Sequence, residues 1–340
     1  MKSRAFQCVR KQYPDVEEEL LEEIWNEAMK QNQVIIDYLA EMRKVEATAG
    51  QPFKAKAYGT AIASIKSGGV PIMSGKQAAK LKGIGAKIEK KIDEILATGH
   101  LGALERKPEE LKTQSAIIDH FMTIWGIGLS KAKELYAKGY RKIEDIPMSL
   151  LNRQQQIGFK YREAFLQKIP RADITEFDTT IHELINNPEI EMVIAGSYRR
   201  GLPQSGDIDV LMRPSSISAP KINLLGIVTK MQNKNIIIDT LTLGEKVFMG
   251  VILWKGIARR LDIHVVPYSE WAPQLLYFTG SNIFNIEMHS YAMKRGYKLG
   301  EHGLTYRNTG VKIPTETEAD IFTQLGVKYI PPEDRATFPY

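Results

Sequence analysis

Cysteine is nearly absent: Cys8 is the only one in 340 residues. That excludes internal disulfides and any cysteine-rich zinc site. No run of about 18 apolar residues occurs, so no transmembrane helix is expected. The first residues, Met1-Lys2-Ser3-Arg4-Ala5-Phe6-Gln7-Cys8, lack the apolar core of a secretory signal. The expectation is an intracellular protein without membrane contact. The composition itself is ordinary for a globular protein, with 43% hydrophobic and 25% charged residues. The length suits two or three domains, each with its own core. A net charge of +6 and a pI near 9.1 suit a polyanionic partner without requiring one.

Charge is unevenly spread. Residues 13 to 30 are acidic, and Val16, Leu20, Leu21, Ile24 and Met29 recur near helical spacing. This reads as an amphipathic acidic helix, either packed on the body or recruiting a protein partner. The sign then reverses: from Arg43 to Lys91 there are eleven Lys or Arg against two Glu. A basic helical module points to nucleic acid. Asn32–Lys44, Pro52–Lys66 and Lys76–Leu81 read as its helices, with Gly68-Gly69-Val70-Pro71 as a turn.

Two short turns then recur. Leu81-Lys82-Gly83-Ile84-Gly85-Ala86-Lys87 and Ile124-Trp125-Gly126-Ile127-Gly128-Leu129-Ser130-Lys131 each open a lysine-bearing helix. A tight Gly-x-Gly turn leaves free N–H groups at a helix start, where phosphate binds. The pair resembles helix-hairpin-helix motifs, which hold DNA backbones without reading sequence. The alternative is two packing turns in a bundle. Between them, Lys87 and Lys91 lie four apart on one helix face. Crowded ammonium groups lower one another's pKa, which favours an amine nucleophile, although most such faces are simply solvated.

The chain is organised around Ala195-Gly196-Ser197-Tyr198-Arg199-Arg200-Gly201, followed by Ser205-Gly206-Asp207-Ile208-Asp209-Val210-Leu211. Glu191–Ile194 before it reads as a strand, broken by Gly196-Ser197. Arg199 and Arg200 suit bidentate phosphate contacts. Positions two apart in a strand share a face, so Asp207 and Asp209 project side by side. Adjacent carboxylates repel unless a cation sits between them, and Mg2+ with oxygen ligands is the common solution. An isolated Asp-x-Asp is weak evidence. Arg259-Arg260-Leu261-Asp262-Ile263-His264-Val265 supplies a third carboxylate, in a strand whose apolar residues alternate with Asp262 and His264. Three carboxylates on neighbouring strands can hold two metals in phosphoryl transfer.

These residues, with Tyr277-Phe278-Thr279-Gly280-Ser281-Asn282-Ile283-Phe284-Asn285, resemble family X of the DNA polymerases in the nucleotidyltransferase superfamily, most closely the DNA polymerase β type. The motifs stand in family order from about Gln31 onward. The resemblance implies an α+β multidomain fold: two helical helix-hairpin-helix domains, a mixed α/β nucleotidyltransferase palm and a small C-terminal α+β subdomain. The implied boundaries are 1–31 for the acidic extension, 32–108 and 109–170 for the helical domains, 171–268 for the palm and 269–340 for the nucleotide-binding subdomain.

It further implies template-directed filling of short gaps, as in base excision repair, with two Mg2+ ions for which Mn2+ can substitute. Asp207, Asp209 and Asp262 would be metal ligands and catalytic groups. Arg171, Ser197, Arg200, Ser205 and Gly206 would hold the triphosphate. Tyr277, Phe278 and Gly280 would form the wall that excludes a ribose 2′-hydroxyl, with Asn282 and Asn285 at the new base. DNA contacts would come from Gly83, Gly85, Gly126, Gly128, Arg260 and His289, with Na+ or K+ at the two turns. Lys91 would be the Schiff-base lysine of a 5′-deoxyribose-phosphate lyase, with Lys54, Tyr58 and Lys87 at the 5′-phosphate. The sequence departs from the pattern at Ala79 and Ala103, where the family has basic residues that Lys80 and Lys82 would replace, and at Asn282 and His289, where it has an acidic residue and an Arg.

The implied partners are gapped or nicked duplex DNA and deoxynucleoside triphosphates, with the protein a monomer, nuclear if eukaryotic. A template-independent or RNA-directed nucleotidyltransferase is disfavoured by the wall and the paired turns. A DNA-binding scaffold is disfavoured by the carboxylate triad, since unneeded clustered carboxylates are costly.

Overall fold

The computed structural model describes Phe6 and residues 17–340; Cys8, Asp15 and Val16 lie outside the described residues. The sequence suggests an acidic helix ending near residue 30 and another starting at Asn32. The structure instead has one 31-residue helix, α1 (Glu18–Thr48). No Gly or Pro falls inside it, and a change of charge alone does not stop a helix. The boundary at 31/32 therefore lies within a continuous helix, and beyond it buried positions become frequent, whereas before it Leu21 is buried. Leu20 and Ile24 are exposed, while Ile35, Leu39 and Met42 are buried.

Two compact units form: one is residues 1–122 with 127–146, the other residues 123–126 with 147–340. The first is helical: α1, α2 (Pro52–Gly68), α3 (Gly75–Ala78), α4 (Ala86–Thr98), α5 (Gly102–Glu105), α6 (Glu109–Phe121) and α7 (Leu129–Ala137). Ile35 and Leu39 of α1, Ile62 and Ile65 of α2, and Ile88, Ile92 and Ile95 of α4 make one core. Each such side chain contributes about 1.5–3 kcal/mol on burial. Buried Asn32 ties α1 to the turn after α2, donating to the Val70 carbonyl and accepting from Ile72 N–H, both at 2.7 Å. The helix expected at Lys76–Leu81 is only the four-residue α3. Its start is fixed by the Gly75 N–H donating to Asp93 Oδ1 at 2.6 Å, and the chain must then turn tightly into Gly83.

The second unit holds α8 (Arg153–Lys160), α9 (Arg162–Leu166), β1 (Ile169–Pro170), α10 (Arg171–Ile185), β2 (Ile190–Ile194), α11 (Gly196–Arg199), β3 (Gln204–Ser205), β4 (Ile208–Pro214), α12 (Leu224–Asn233), β5 (Ile237–Leu243), β6 (Val247–Trp254) and β7 (Ile257–Val265). Beyond these come α13 (Trp271–Thr279), α14 (Asn282–Lys294), β8 (Tyr297–Gly300), β9 (Gly303–Tyr306), β10 (Lys312–Ile313) and α15 (Glu318–Gln324). The main sheet runs β2-β4-β7-β6-β5. Its neighbours are antiparallel except β4 and β7, which are parallel. This is the α+β multidomain architecture expected from the sequence.

Strand periodicity decides which face does what. Ile208, Val210 and Met212 of β4, with Leu261 and Ile263 of β7, pack against Ile174, Phe177 and Ile181 of α10 and Val228 and Met231 of α12. The odd-numbered positions of β4 face the other way. There Leu211, with Val266, meets Trp271 and Leu275 of α13 in a second, smaller core. The alternation in β7 suggests a solvated polar face, but Asp262 is only 5% exposed. The β7 face that carries it is roofed rather than open, a coverage that strand periodicity does not encode.

Candidate active site

The parallel pairing of β4 and β7 sets Asp209 directly opposite Asp262. Asp207 stands one residue before β4, and ligand oxygens of all three carboxylates lie within 4.8 Å of one another. Burial pushes the Asp209 carboxyl up to about 7, helped by the charges of Asp207 and Asp262 and opposed by Arg260 and Arg200. Burial also raises Asp262, against the pull of Arg260. Arg260 Nη2 bridges the cluster, 2.9 Å from Asp207 Oδ2 and 2.6 Å from Asp262 Oδ2. Expected at the DNA, this guanidinium is found on two of the carboxylates instead, with its carbon 5.2 Å from the Trp125 ring centroid.

The donor set fits a divalent cation. Asp262 Oδ1 is buried and has no hydrogen-bond partner among the described residues. An all-oxygen cluster with an unsatisfied buried oxygen, whose carboxylates repel one another and raise the Asp209 carboxyl, is one that a bound hard cation would relieve. Gly196 completes the pocket. It has φ +57, and a Cβ there would stand 2.7 Å from Asp209 Oδ2, so only glycine lets the chain pass.

The loop from Gly196 to Gly206 gathers the residues expected at a triphosphate. Ser197 Oγ donates to Ser205 Oγ at 2.7 Å. The β1–β3 pairing sets Ile169 against Ser205 and delivers Arg171 to the same loop. The Arg171 N–H donates to the Pro203 carbonyl at 2.9 Å, and its guanidinium lies over the Tyr198 ring at 4.2 Å. Lys168 Nζ lies 3.5 Å from where a Gly206 Cβ would stand, placing one more cation at this turn. Arg200 donates to the Thr279 carbonyl, which brings it to the end of α13.

At that end Tyr277 is exposed and packs edge-on against Phe278 at 5.4 Å. Phe278 lies 4.3 Å from the His264 ring, and Tyr277 stacks on His289 at 6.5 Å. Both histidines are held below their ordinary pKa by burial. Asn285 Nδ2 donates to the Tyr277 carbonyl at 2.7 Å, while Asn282 is exposed at the start of α14, capped by Ser281.

Beneath this wall lies a charged node that motif reading does not single out. Arg199 Nη1 donates to Thr279 Oγ1 at 2.7 Å, and its two terminal nitrogens reach both oxygens of Glu318 at 3.0 and 2.8 Å. Arg335, fully buried, donates to Glu318 Oε1 at 2.6 Å. Its carbonyl accepts from the Ser281 N–H at 3.1 Å. Residues 279–281 are thus held from both sides.

The two Gly-x-Gly turns have the same backbone. Gly83 and Gly126 have φ +82 and +87. Gly85 and Gly128 are extended and cap α4 and α7, with nothing among the described residues within 4 Å of either added Cβ. Those open helix starts leave room for a phosphate backbone. Lys87 and Lys91 lie one turn apart on α4, Lys87 exposed and Lys91 half-buried. Tyr58 is buried, and its hydroxyl is pushed up by burial and by Glu46. Lys54 Nζ is 3.8 Å from the same Glu46.

Comparison with known proteins follows this geometry. Residues 168–268 match the DNA polymerase beta palm, 274–336 the DNA polymerase beta thumb, 30–101 a helix-hairpin-helix domain and 119–166 the fingers domain of DNA polymerase lambda. DNA polymerase lambda of Rattus norvegicus is 34% identical over 91% of this chain and 57% of its own length. DNA polymerase lambda of Arabidopsis thaliana is 27% identical over 89% and 62%. The DNA polymerase type-X family protein pol4 of Schizosaccharomyces pombe is 29% identical over 90% and 65%. The chain spans about three fifths of the length of these relatives.

Proposed function

Since the chain belongs to family X of the DNA polymerases, of the DNA polymerase β type, we propose that it fills short gaps in duplex DNA. It would add templated deoxynucleotides to a primer 3′-hydroxyl and release pyrophosphate. The observation that carries this reading is Asp209 set opposite Asp262 across the parallel pair, with Asp207 beside them. Asp207 and Asp209 would hold two Mg2+ ions, or Mn2+, and Asp262 one of them. When bound, such ions acidify the primer hydroxyl and neutralise phosphate charge. Asp262 accepts the hydroxyl proton or steers it to water. Arg171, Ser197, Arg200 and the Ser205-Gly206 turn hold the triphosphate as charge moves to its leaving oxygens. The Tyr277-Phe278-Gly280 segment excludes a 2′-hydroxyl, Asn285 meets the minor-groove edge of the new base, Asn282 lies near that base and His289 faces the template. Arg260 leaves the carboxylates for the DNA once cations take its place.

Primer extension on a one-nucleotide gapped duplex tests this. Templated addition is expected; equal addition to an unpaired single strand would point to a template-independent transferase, and none at all to a scaffold.

The two Gly-x-Gly turns, Gly83-Ile84-Gly85 and Gly126-Ile127-Gly128, would grip the DNA backbone, with Na+ or K+ between carbonyls and phosphate. If that grip is ionic, log affinity for gapped DNA falls with log salt at a slope of about −4.5 to −5.5, the range for five or six neutralised phosphates. A flat response would remove the basic module from DNA binding. The acidic start of α1 would recruit a protein partner through Leu20 and Ile24. The domain boundaries at 109, 171 and 269, a monomeric state and, in a eukaryote, a nuclear location belong to the same reading.

A lyase activity accompanies it. Lys91 attacks the aldehyde of a 5′-deoxyribose phosphate, water leaves, and β-elimination from the Schiff base releases the sugar phosphate. Borohydride is expected to trap wild-type protein on incised abasic DNA, and Lys91→Ala to lose about nine-tenths of the adduct. Equal trapping by the variant would move the nucleophile to Lys87 or Lys90.

A further inference from the structure

The match to the DNA polymerase beta thumb ends at residue 336, and the chain continues into Phe338 and Tyr340. Phe338 is 4% exposed and belongs to the core of the C-terminal subdomain. Its ring packs edge-on against Phe284 at 5.5 Å and against Tyr291 at 5.3 Å. Those two rings stand seven residues apart on α14, so they lie two turns from each other on one face. Between them, Glu287 Oε2 accepts from the Phe338 N–H at 3.0 Å. Tyr340 extends the contact, with its ring 5.3 Å from Phe338 and 6.2 Å from Tyr291. Its hydroxyl accepts from the Lys328 N–H at 3.3 Å. At the start of α14, Ser281 Oγ accepts from the Phe284 N–H at 3.2 Å and donates to the Ala336 carbonyl at 2.8 Å. Residues 335–340 therefore run along the helix from its cap to its third turn.

Asn282, Asn285 and His289 are three and four residues apart on the same helix and share a different face. Asn285 and His289 lie about 100° and about 140° around the axis from Phe284. A plug for the core would need only the Phe338 ring. The hydrogen bonds at Ser281 and Glu287 add direction, because they fix how the helix is turned. Turning α14 by about 10° shifts a side chain at its rim by about 1 Å, a displacement large enough to spoil recognition.

We propose that Phe338 and Tyr340 are positioning residues for nucleotide selection. They form a strap whose hold on Phe284, Glu287 and Tyr291 sets how α14 presents Asn285 and His289 to the new base pair. This rests on the reading of Asn282, Asn285 and His289 as the face toward that pair. The strap acts through the helix and needs no contact with substrate.

Single-turnover extension of a one-nucleotide gapped duplex by the full chain, with correct and mismatched nucleotide, tests it. Phe338→Ala raises KM for the correct nucleotide about fivefold and lowers discrimination against the mismatch by a similar factor. The rate at saturating nucleotide and the affinity for gapped DNA stay within about twofold, because the carboxylates and the Gly-x-Gly turns are untouched. Phe338→Leu, which refills most of the space, recovers most of the loss. Tyr340→Ala, at a position 53% exposed, gives a loss of about twofold and decides the matter if Phe338→Ala fails to fold. Asn285→Ala reports on the face itself and is expected to weaken both nucleotide binding and discrimination. The double variant Phe338→Ala/Asn285→Ala then adds little to the larger single loss. If Asn285→Ala changes neither quantity, the reading of that face falls and the strap with it. If Asn285→Ala weakens both while Tyr340→Ala and every folded Phe338 variant match wild type, the strap alone is overturned. Fully additive losses would also overturn it, since Phe338 would then act without Asn285.

Discussion

Asp262→Asn lowers the rate of nucleotide addition on the order of 10³- to 10⁴-fold while gapped-DNA affinity stays within about twofold. The substitution is isosteric, so the packing around a side chain that is 5% exposed survives. Arg260 keeps an oxygen to donate to, because it bonds Oδ2 and an amide offers one carbonyl oxygen. What is lost is the charge opposite Asp209 and the basic oxygen, Oδ1, that now has no partner among the described residues. Removing one carboxylate also relieves Asp209, whose carboxyl is held near 7 partly by its neighbours, so Asp209 ionises more readily in the variant. The expected signature is therefore loss of rate with retained and even firmer ionisation of the remaining pair. DNA affinity is spared because the proposed grip lies in the Gly83–Gly85 and Gly126–Gly128 turns. Single-turnover extension and a binding titration on the same gapped duplex check it. Extension within about tenfold of wild type would take Asp262 out of the chemistry.

The carboxylate triad was legible because strand periodicity and the Asp-x-Asp spacing are local. Asp207 and Asp209 share a face by period two, and the apolar residues around Asp262 announce a strand. The parallel register that brings Asp209 to Asp262 is a pairing fact, which one strand's sequence does not state. The burial of Asp262 was illegible for a related reason: the face that looks half-polar in β7 is roofed, and coverage is a tertiary property. Likewise the charge reversal after residue 30 marks where buried positions become frequent along α1, yet the helix runs through it because nothing between Glu18 and Thr48 breaks one. The two Gly-x-Gly turns were read correctly as a repeat because φ > 0 at Gly83 and Gly126 is a demand that sequence displays openly. Ion pairs across the fold carry no such signal. Lys107 reaches Glu46 over 61 residues and Arg199 reaches Glu318 over 119. A Glu at the start of a short helix reads first as a first-turn acid, which is also true of Glu318.

Glu318→Ala destabilises the second unit by about 3–5 kcal/mol, the cost of leaving buried cations without their carboxylate. The node is asymmetric. Arg199 is partly exposed and keeps Thr279 Oγ1, whereas Arg335 is fully buried and would keep only the Ile330 carbonyl, at 2.9 Å. One of its nitrogens, Nη2, already has no hydrogen-bond partner among the described residues. Three rings, of Phe284, Phe322 and Tyr329, stand 5.5 to 5.7 Å from its guanidinium carbon and cannot replace a counter-charge. If the loss is electrostatic, Glu318→Leu with Arg335→Met recovers most of it, because an apolar pair of similar volume needs no compensation. The pH dependence follows from the same node. Burial pushes the Glu318 carboxyl up, but hydrogen bonds from Arg199 and Arg335 and their charges outweigh it and hold the group below its ordinary range. A carboxyl depressed on folding contributes stability above its unfolded pKa of about 4.3, and that contribution disappears as pH falls through the folded value. Wild type therefore loses stability toward acid more steeply than the Leu/Met variant. Chemical unfolding of the three proteins at pH 7 and at acid pH checks the ranking; a Glu318→Ala cost below about 1 kcal/mol would make the node a solvated pair. The same variant tests the link to the site, since residues 279–281 hang between Arg199, Arg200 and the Arg335 carbonyl. Loosening that segment raises KM for the incoming nucleotide and weakens discrimination against ribonucleotides more than it changes DNA affinity.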